Sequence, residues 1–244
     1  KKLHEKEINN TNYKPIYDAY QSASRRLLIF DYDGTLTEFK DNPEDAYPSD
    51  DIIDFLKQLS MDKKNNVVIS SGRDRETLEK WFGKLSINMA AEHGVAYKEN
   101  GIWHNFIEDV KWDNEILDIM QKFVERTPGA LLEKKKTALV WHFRSVDEWL
   151  ANLREQQLVN ALIPACNRLG LQIMRGNKIL EIKTPLYSKG SEVKRLLKLN
   201  SYNFIFTIGD DVTDEEMFKA LPDNAYSIKV GYNSGIAKYN IPLQ

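Results

Sequence analysis

The sequence predicts an α/β protein, a doubly wound parallel-sheet core interrupted by a smaller α+β insert, and three features carry that expectation. Short apolar runs, Leu27 to Phe30, Val67 to Ile69, Met89 to Ala91 and Phe204 to Ile208, each stop at a polar or glycine-rich corner. Unbroken runs of this length suit strands buried on both faces of a parallel sheet. Between them, Ile52, Ile53, Leu56 and Leu59, then Leu78, Trp81 and Phe82, and later Val193, Leu196 and Leu197 recur at helical spacing. Strand alternating with helix is the pattern of a doubly wound core, whose ligands collect beyond the carboxyl ends of the strands. The third feature is a stretch from about Ile107 to Thr184 that breaks this rhythm.

In chain order, the first 24 residues read as a loosely held arm or linker at the head of a core segment spanning 1–106. The insert, 107–184, opens with a helix over Trp112 to Arg126, passes Pro128-Gly129, and continues into an alternating run, Thr137 to Arg144. A helix from about Val146 to Leu169 follows, interrupted or bent near Pro164. A β-rich pair, Leu171 to Met174 and Lys178 to Ile182, then folds about Gly176-Asn177. The core resumes over 185–244. Trp103, Trp112, Trp141 and Trp149 read mostly as core residues.

The 244 residues, 42% hydrophobic and 29% charged, suffice to bury a sizeable core. Thirty-four basic against 36 acidic residues leave a formal charge of -2, so nothing in the balance points to nucleic acid or an anionic membrane. No apolar run reaches the length of a membrane span, and the polar start lacks a signal-peptide core. Cys166 is the only cysteine, which excludes an intrachain disulfide and suggests a reducing, cytoplasmic setting. The chain begins without Met, as a piece of a longer protein would.

The chemistry concentrates at two strand ends. Leu27-Leu28-Ile29-Phe30 runs into Asp31-Tyr32-Asp33-Gly34-Thr35, which presents two carboxylates at one sheet edge. One carboxylate can attack phosphorus while its neighbour protonates the leaving oxygen and later activates water. Adjacent anions repel, so a bound cation is needed to keep a nucleophile ionised beside a phosphate dianion. Far downstream, Phe204 to Gly209 runs into Asp210-Asp211-Val212-Thr213-Asp214-Glu215. Oxygen ligands from two strand ends, completed by phosphate and water, describe a magnesium octahedron better than a calcium loop of the EF-hand type.

Asp31-x-Asp33-Gly34-Thr35, Val68-Ile69-Ser70-Ser71-Gly72-Arg73, Ser188-Lys189-Gly190 and Gly209-Asp210-Asp211 resemble, in order, the four motifs of the haloacid-dehalogenase (HAD) superfamily of phosphatases. That resemblance implies a Rossmann-like core, Asp31 as nucleophile and Asp33 as general acid and base. Ser71 and Lys189 would hold a phosphate oxygen, Lys189 also gripping the nucleophile. Backbone N–H groups after Asp33 would add donors. Gly72 and Arg73 would line the substrate's approach. Magnesium would be ligated by Asp31, the Asp33 carbonyl and Asp210, with Asp211 and Asp214 in or near the outer shell. Each assignment has a plainer rival: Ser71 as a turn former, Lys189 as an ordinary helix-start lysine, and Arg73 as the partner of a core acid.

An insert between the second and third motifs corresponds to that superfamily's C2-type cap, which closes over the core and excludes water. Glu92-His93-Gly94, Glu133-Lys134-Lys135, Thr137 to Arg144, Leu180-Glu181-Ile182-Lys183 and Gly209 to Glu215 further resemble trehalose-6-phosphate phosphatases, found as the C-terminal part of fungal trehalose-synthesis proteins. The likeness spans about residues 25 to 232. It implies a hydrolase of trehalose biosynthesis that releases trehalose and inorganic phosphate, with a synthase domain upstream or a trehalose-synthesis complex as partner. Glu133, Lys135 and Glu181 would hydrogen-bond the disaccharide's hydroxyls. Another sugar phosphate such as sucrose phosphate, a mutase reaction, or a phosphosugar-sensing module of a larger synthase are the alternatives. In one regular strand Glu133 and Lys135 would share a face with Leu139, Trp141 and Phe143, opposite His142 and Arg144, unless a bulge or turn intervenes. His142 then reads as a satisfied half-buried histidine, Arg144 as structural, and Glu92 and His93 as shaping a loop.

Overall fold

The computed structural model describes residues 6–105, 110–231 and 234–242. Ile107, the expected opening of the insert, and residues 1–5 of the arm lie outside the described residues. The chain forms two compact units, Lys1–Phe106 with Ser188–Gln244, and Ile107–Tyr187. Before the second unit come α1 (Lys14–Ser22), β1 (Arg26–Asp31), α2 (Asp50–Met61), β2 (Asn65–Ser70), α3 (Arg75–Phe82), β3 (Asn88–Ala91), β4 (Ala96–Glu99) and β5 (Ile102–Asn105). The second unit holds α4 (Asn114–Glu125), β6 (Leu131–Lys134), β7 (Ala138–His142), α5 (Glu148–Leu169), β8 (Gln172–Gly176) and β9 (Ile179–Lys183). After it come α6 (Lys189–Leu199), β10 (Phe204–Gly209), α7 (Val212–Lys219), β11 (Tyr226–Val230) and β12 (Tyr239–Ile241). No helix among the described residues is long and apolar enough to cross a membrane.

The first unit is an eight-stranded sheet in the order β12-β11-β10-β1-β2-β3-β4-β5. Pairing is parallel from β12 to β3 and antiparallel from β3 to β5. Successive residues of β1 explain why its sequence is apolar throughout. Leu28 and Phe30 pack with Ile16, Leu56, Leu78 and Phe82 of α1 to α3, whereas Leu27 and Ile29 pack with Val193, Leu196, Met217 and Phe218 of α6 and α7. Helices on both faces make the sheet doubly wound, and each fully buried Leu, Ile or Phe contributes about 1.5–3 kcal/mol.

Two expectations for this unit need correction. From residue 6 onward the arm is docked, not loose: the Ile8 N–H donates to the Asn240 carbonyl and the Asn240 N–H to that of Lys6, both at 2.9 Å. Ile16, Ala19 and Tyr20 of α1 join the core cluster, and Arg26 stacks on the Tyr20 ring at 4.0 Å. In addition, the β4–β5 hairpin and the edge strands β11 and β12 extend the sheet beyond the anticipated strands. The hairpin turns through Asn100 (φ +50°) and Gly101 (φ +79°), consecutive left-handed residues that suit Asn-Gly.

In the second unit the antiparallel sheet β6-β7-β9-β8 packs one face against α4 and α5. The expected alternating run, Thr137 to Arg144, is one strand, β7 (Ala138–His142), and the segment before it is a separate strand. Glu133 and Lys134 end β6, the chain turns, and β7 begins at Ala138 with its first four residues all buried because it is a central strand. Helix α5 is not interrupted at Pro164. Leu158, Leu162, Ala165 and Cys166 anchor it on either side of the proline, and it ends at Leu169, before left-handed Gly170 (φ +68°). Trp141 is fully buried, but Trp149 in the first turn of α5 is 73% exposed and belongs to no core.

Candidate active site

Parallel pairing brings three strand tips side by side. Asp31, the last residue of β1, lies opposite Ser70 of β2, and Phe30 lies opposite Ile208 of β10, so Asp31, Ser71 and Asp210 emerge from adjacent carboxyl ends. Lys189 opens α6, whose N-cap Ser188 forms a capping box with Ser191.

The centre of the site is a buried chain of charges. Lys189, 2% exposed, donates from Nζ to Asp31 Oδ1 and Asp214 Oδ1, both at 2.6 Å. Asp31 Oδ2 accepts from Thr35 Oγ1 at 3.1 Å. Asp214 Oδ2 accepts the backbone N–H groups of Asp210 and Asp211 at 3.0 and 3.1 Å, which folds the loop after β10 around it. Gly209 is required there, since a Cβ would collide with the Asp214 carboxyl.

Asp31, Asp210 and Asp214 each place a carboxylate oxygen within 4.8 Å of the others. Burial pushes the Asp31 carboxyl well above its ordinary range, and Asp214 and Asp210 add to the rise against the opposing pull of Lys189. Burial raises Asp210 as well. For Lys189 burial acts downward, but Asp31 and Asp214 outweigh it and hold the ammonium above its ordinary value. Three carboxylates against one ammonium leave two formal negative charges, and Asp210 Oδ1 is buried with no hydrogen-bond partner among the described residues. A hard divalent cation fits both facts. Asp214 is the least available ligand, as its oxygens already accept three hydrogen bonds, one from Lys189 and two from backbone N–H groups. Asp211, exposed, caps α7 through a capping box with Asp214.

Asp33 is not one of these three carboxylates. Arg73 holds it in a two-pronged grip, Nε to Oδ2 at 2.8 Å and Nη2 to Oδ1 at 2.7 Å. The guanidinium also donates to the Pro43 carbonyl at 2.9 Å and lies 4.7 Å from the Trp81 ring centroid. Of the two readings of Arg73, this geometry matches pairing with a core acid. The backbone N–H groups after Asp33 also differ from expectation: Gly34 donates to Thr37 O and Thr35 to Tyr32 O, closing a turn. Gly34 (φ +78°) serves that turn and makes room for Asp210, whose Oδ2 a Cβ would overlap.

Ser71 is buried, and its Oγ accepts the Arg73 N–H at 3.0 Å, so it shapes the turn while keeping its hydroxyl proton for another acceptor. Gly72 packs beneath His93, where a Cβ would come within 2.7 Å of Nε2. Glu92 and His93 carry positive φ (48° and 58°) and donate their N–H groups to the Arg73 and Ser71 carbonyls, which braces the turn.

Glu133 and Glu181 lie on the second unit's sheet, and Lys135 follows in the turn after β6. Val140 of β7 opposes both Glu133 of β6 and Glu181 of β9, so all three share a face, and His142 shares it two residues on. Leu139 and Trp141 point the other way, into the helices. The turn between β6 and β7 thus corrects the face assignment that set Glu133 against His142. His142 Nε2 meets Glu133 Oε2 at 2.8 Å, and Lys135 Nζ lies 4.0 Å from Glu133 Oε1. Three consecutive lysines, 134–136, between two apolar runs were the available signal for that turn.

The trehalose-phosphatase family model matches residues 29–240. An alpha,alpha-trehalose-phosphate synthase (UDP-forming) B of Dictyostelium discoideum is 40% identical over 225 residues, 91% of this chain and 28% of that protein. A bifunctional trehalose-6-phosphate synthase/phosphatase of Thermoproteus tenax is 38% identical, over 91% of this chain and 31% of that one. The chain therefore spans less than a third of the length of these two relatives. Among solved structures, the C-terminal domain of C. albicans trehalose-6-phosphate phosphatase superposes with a TM-score of 0.83 at 31% identity, covering 95% of this chain and 92% of that one.

Proposed function

Because the chain belongs to the trehalose-phosphatase family, we propose that it is a HAD-type phosphomonoesterase that converts trehalose 6-phosphate to trehalose and inorganic phosphate through an aspartyl-phosphate on Asp31. The observation that carries this reading is the set of Asp31, Asp210 and Asp214 beside buried Lys189, at the tip of β1. Magnesium would be held by the carboxylates of Asp31 and Asp210 and the carbonyl of Asp33. When bound, it supplies the positive charge that keeps the nucleophile ionised and offsets charge on the phosphoryl oxygens.

The protein's own groups then divide the work. Asp31 attacks phosphorus, and the P–O bond to the sugar breaks as the P–O bond to Asp31 forms. Lys189 orients Asp31 and offers a third N–H to a phosphoryl oxygen. The Ser71 hydroxyl donates to another. Asp33 gives its proton to the departing sugar oxygen, then takes one from the water that attacks phosphorus and releases Asp31. Arg73 positions Asp33 between these events. Glu133, Lys135 and Glu181, on the polar face of the second unit acting as a C2-type cap, read the hydroxyls, and His142 fixes the rotamer of Glu133. Relatives of which the chain spans less than a third favour a synthase segment as partner.

Phosphate release by the purified chain, measured over a panel of trehalose 6-phosphate, sucrose 6-phosphate and glucose 6-phosphate with magnesium, tests the reading. We expect strong preference for the first and complete arrest by EDTA. Equal turnover across the panel, or an isomerised sugar phosphate without free phosphate, would remove it.

A further inference from the structure

At the opposite ends of the strands from Asp31, the first unit holds a polar cavity of about 850 Å³. Its wall is built from Asn65 and Asn66 at the start of β2, the segment leading into β3, the β4–β5 turn and the end of α6. A six-residue strand separates it from the catalytic tip, roughly 17 Å at about 3.3 Å per residue.

Its hydrogen bonds run in one direction. The Asn100 N–H donates to Asn88 Oδ1 at 3.2 Å, Asn88 Nδ2 to Asn66 Oδ1 at 2.7 Å, and Asn66 Nδ2 to Tyr202 Oη at 2.9 Å. Each amide has one acceptor contact filled and one N–H still to give, and the Tyr202 hydroxyl proton is likewise unspent among the described residues. The wall therefore offers donors. Its charge has the same sense: Arg25, Lys63, Lys64 and Lys84 line the cavity with no carboxylate partner in salt-bridge range among the described residues. Lys98 is already committed to Glu79 at 2.9 Å, and Glu99, the only lining acid, to Arg195 at 3.4 Å. Arg25 also donates to Asn200 Oδ1 at 2.9 Å, and donors with N–H groups to give beside cations without carboxylate partners are the chemistry of an anion site. The volume exceeds what one phosphate needs, and four cations exceed what one phosphate neutralises.

We propose that this cavity binds a small molecule carrying two or more linked phosphate groups, such as a nucleoside diphosphate, at a site separate from the phosphatase centre. Inorganic pyrophosphate, titrated calorimetrically in EDTA, is a sufficient probe. The wild-type chain and Asp31→Asn are expected to bind it equally well, with affinity falling as salt rises. Lys63→Glu/Lys84→Glu should weaken binding at least about tenfold, and Asn88→Asp, which replaces a donor with a carboxylate at constant size, should weaken it independently. Reversal of two exposed lysines outside the cavity, Lys57→Glu/Lys80→Glu, should change little. No binding by the wild type, full affinity in Lys63→Glu/Lys84→Glu, equal loss in the two lysine reversals, or loss in Asp31→Asn overturns the proposal.

Discussion

Asp31 is ion-paired with the same ammonium that anchors Asp214, and only the first of these contacts was expected, as what the family resemblance of Ser188-Lys189-Gly190 implies. The acids at strand tips, Asp31 and Asp210, were legible because an apolar run ending in a carboxylate fixes both its position and its exposure to the sheet edge. The anchoring of Lys189 by fully buried Asp214 was not, because nothing in a one-dimensional pattern distinguishes an outer-shell acid from one that holds the lysine. The role of Arg73 was likewise left between two readings, until the β1–β2 pairing closed its 40-residue separation from Asp33. Asp33→Asn should lower kcat by about 10²–10⁴-fold, with Asp31 and the metal site intact. Arg73→Ala separates the two roles of that residue: a positioning arginine predicts a fall in kcat with KM nearly unchanged, and a rise in KM alone would return it to the substrate.

At the scale of elements, the sequence pattern served best where strands are buried on both faces and worst where turns divide a polar run. β1, β2, β3 and β10 were visible as continuous apolar segments. The β4–β5 hairpin was overlooked although Asn100-Gly101 is the strongest short-range signal for such a turn. The β6–β7 turn was left as one of two options, a bulge or a turn, because Lys134-Lys135-Lys136 carries no Gly or Pro to mark a change of direction. Two glycines make the backbone argument testable. Gly101 has φ +79° and nothing near its missing Cβ, so Gly101→Ala should cost about 1–2 kcal/mol in denaturant unfolding through conformation alone. Gly34 shares the left-handed φ and adds a collision with Asp210, so Gly34→Ala should cost more and also weaken metal binding. Equal losses in the two variants would mean that Asp210 is not packed where the site requires it.

For the whole molecule, the two-unit organisation follows from two apolar cores, one around the doubly wound sheet and one between α4, α5 and the antiparallel sheet. Metal binding should couple to the stability of the first unit. Asp31 and Asp210 have carboxyls raised above the ordinary value of 3.8, so the stability they permit without metal is full below that pH and is lost as pH rises through their folded values. A divalent cation binds the ionised cluster, so magnesium should raise Tm more at pH 7.5 than at pH 5, as calorimetry would show. An equal shift at both pH values would contradict a carboxylate-held ion. The most direct measurement is chemical: acid-quench the chain during turnover of trehalose 6-phosphate with magnesium, reduce with borohydride, and map the product by mass spectrometry. An acyl phosphate on Asp31 is reduced to homoserine at position 31, and that substitution, dependent on substrate and metal, is the predicted result. Full phosphate release with an unmodified Asp31 would show that another group does the chemistry.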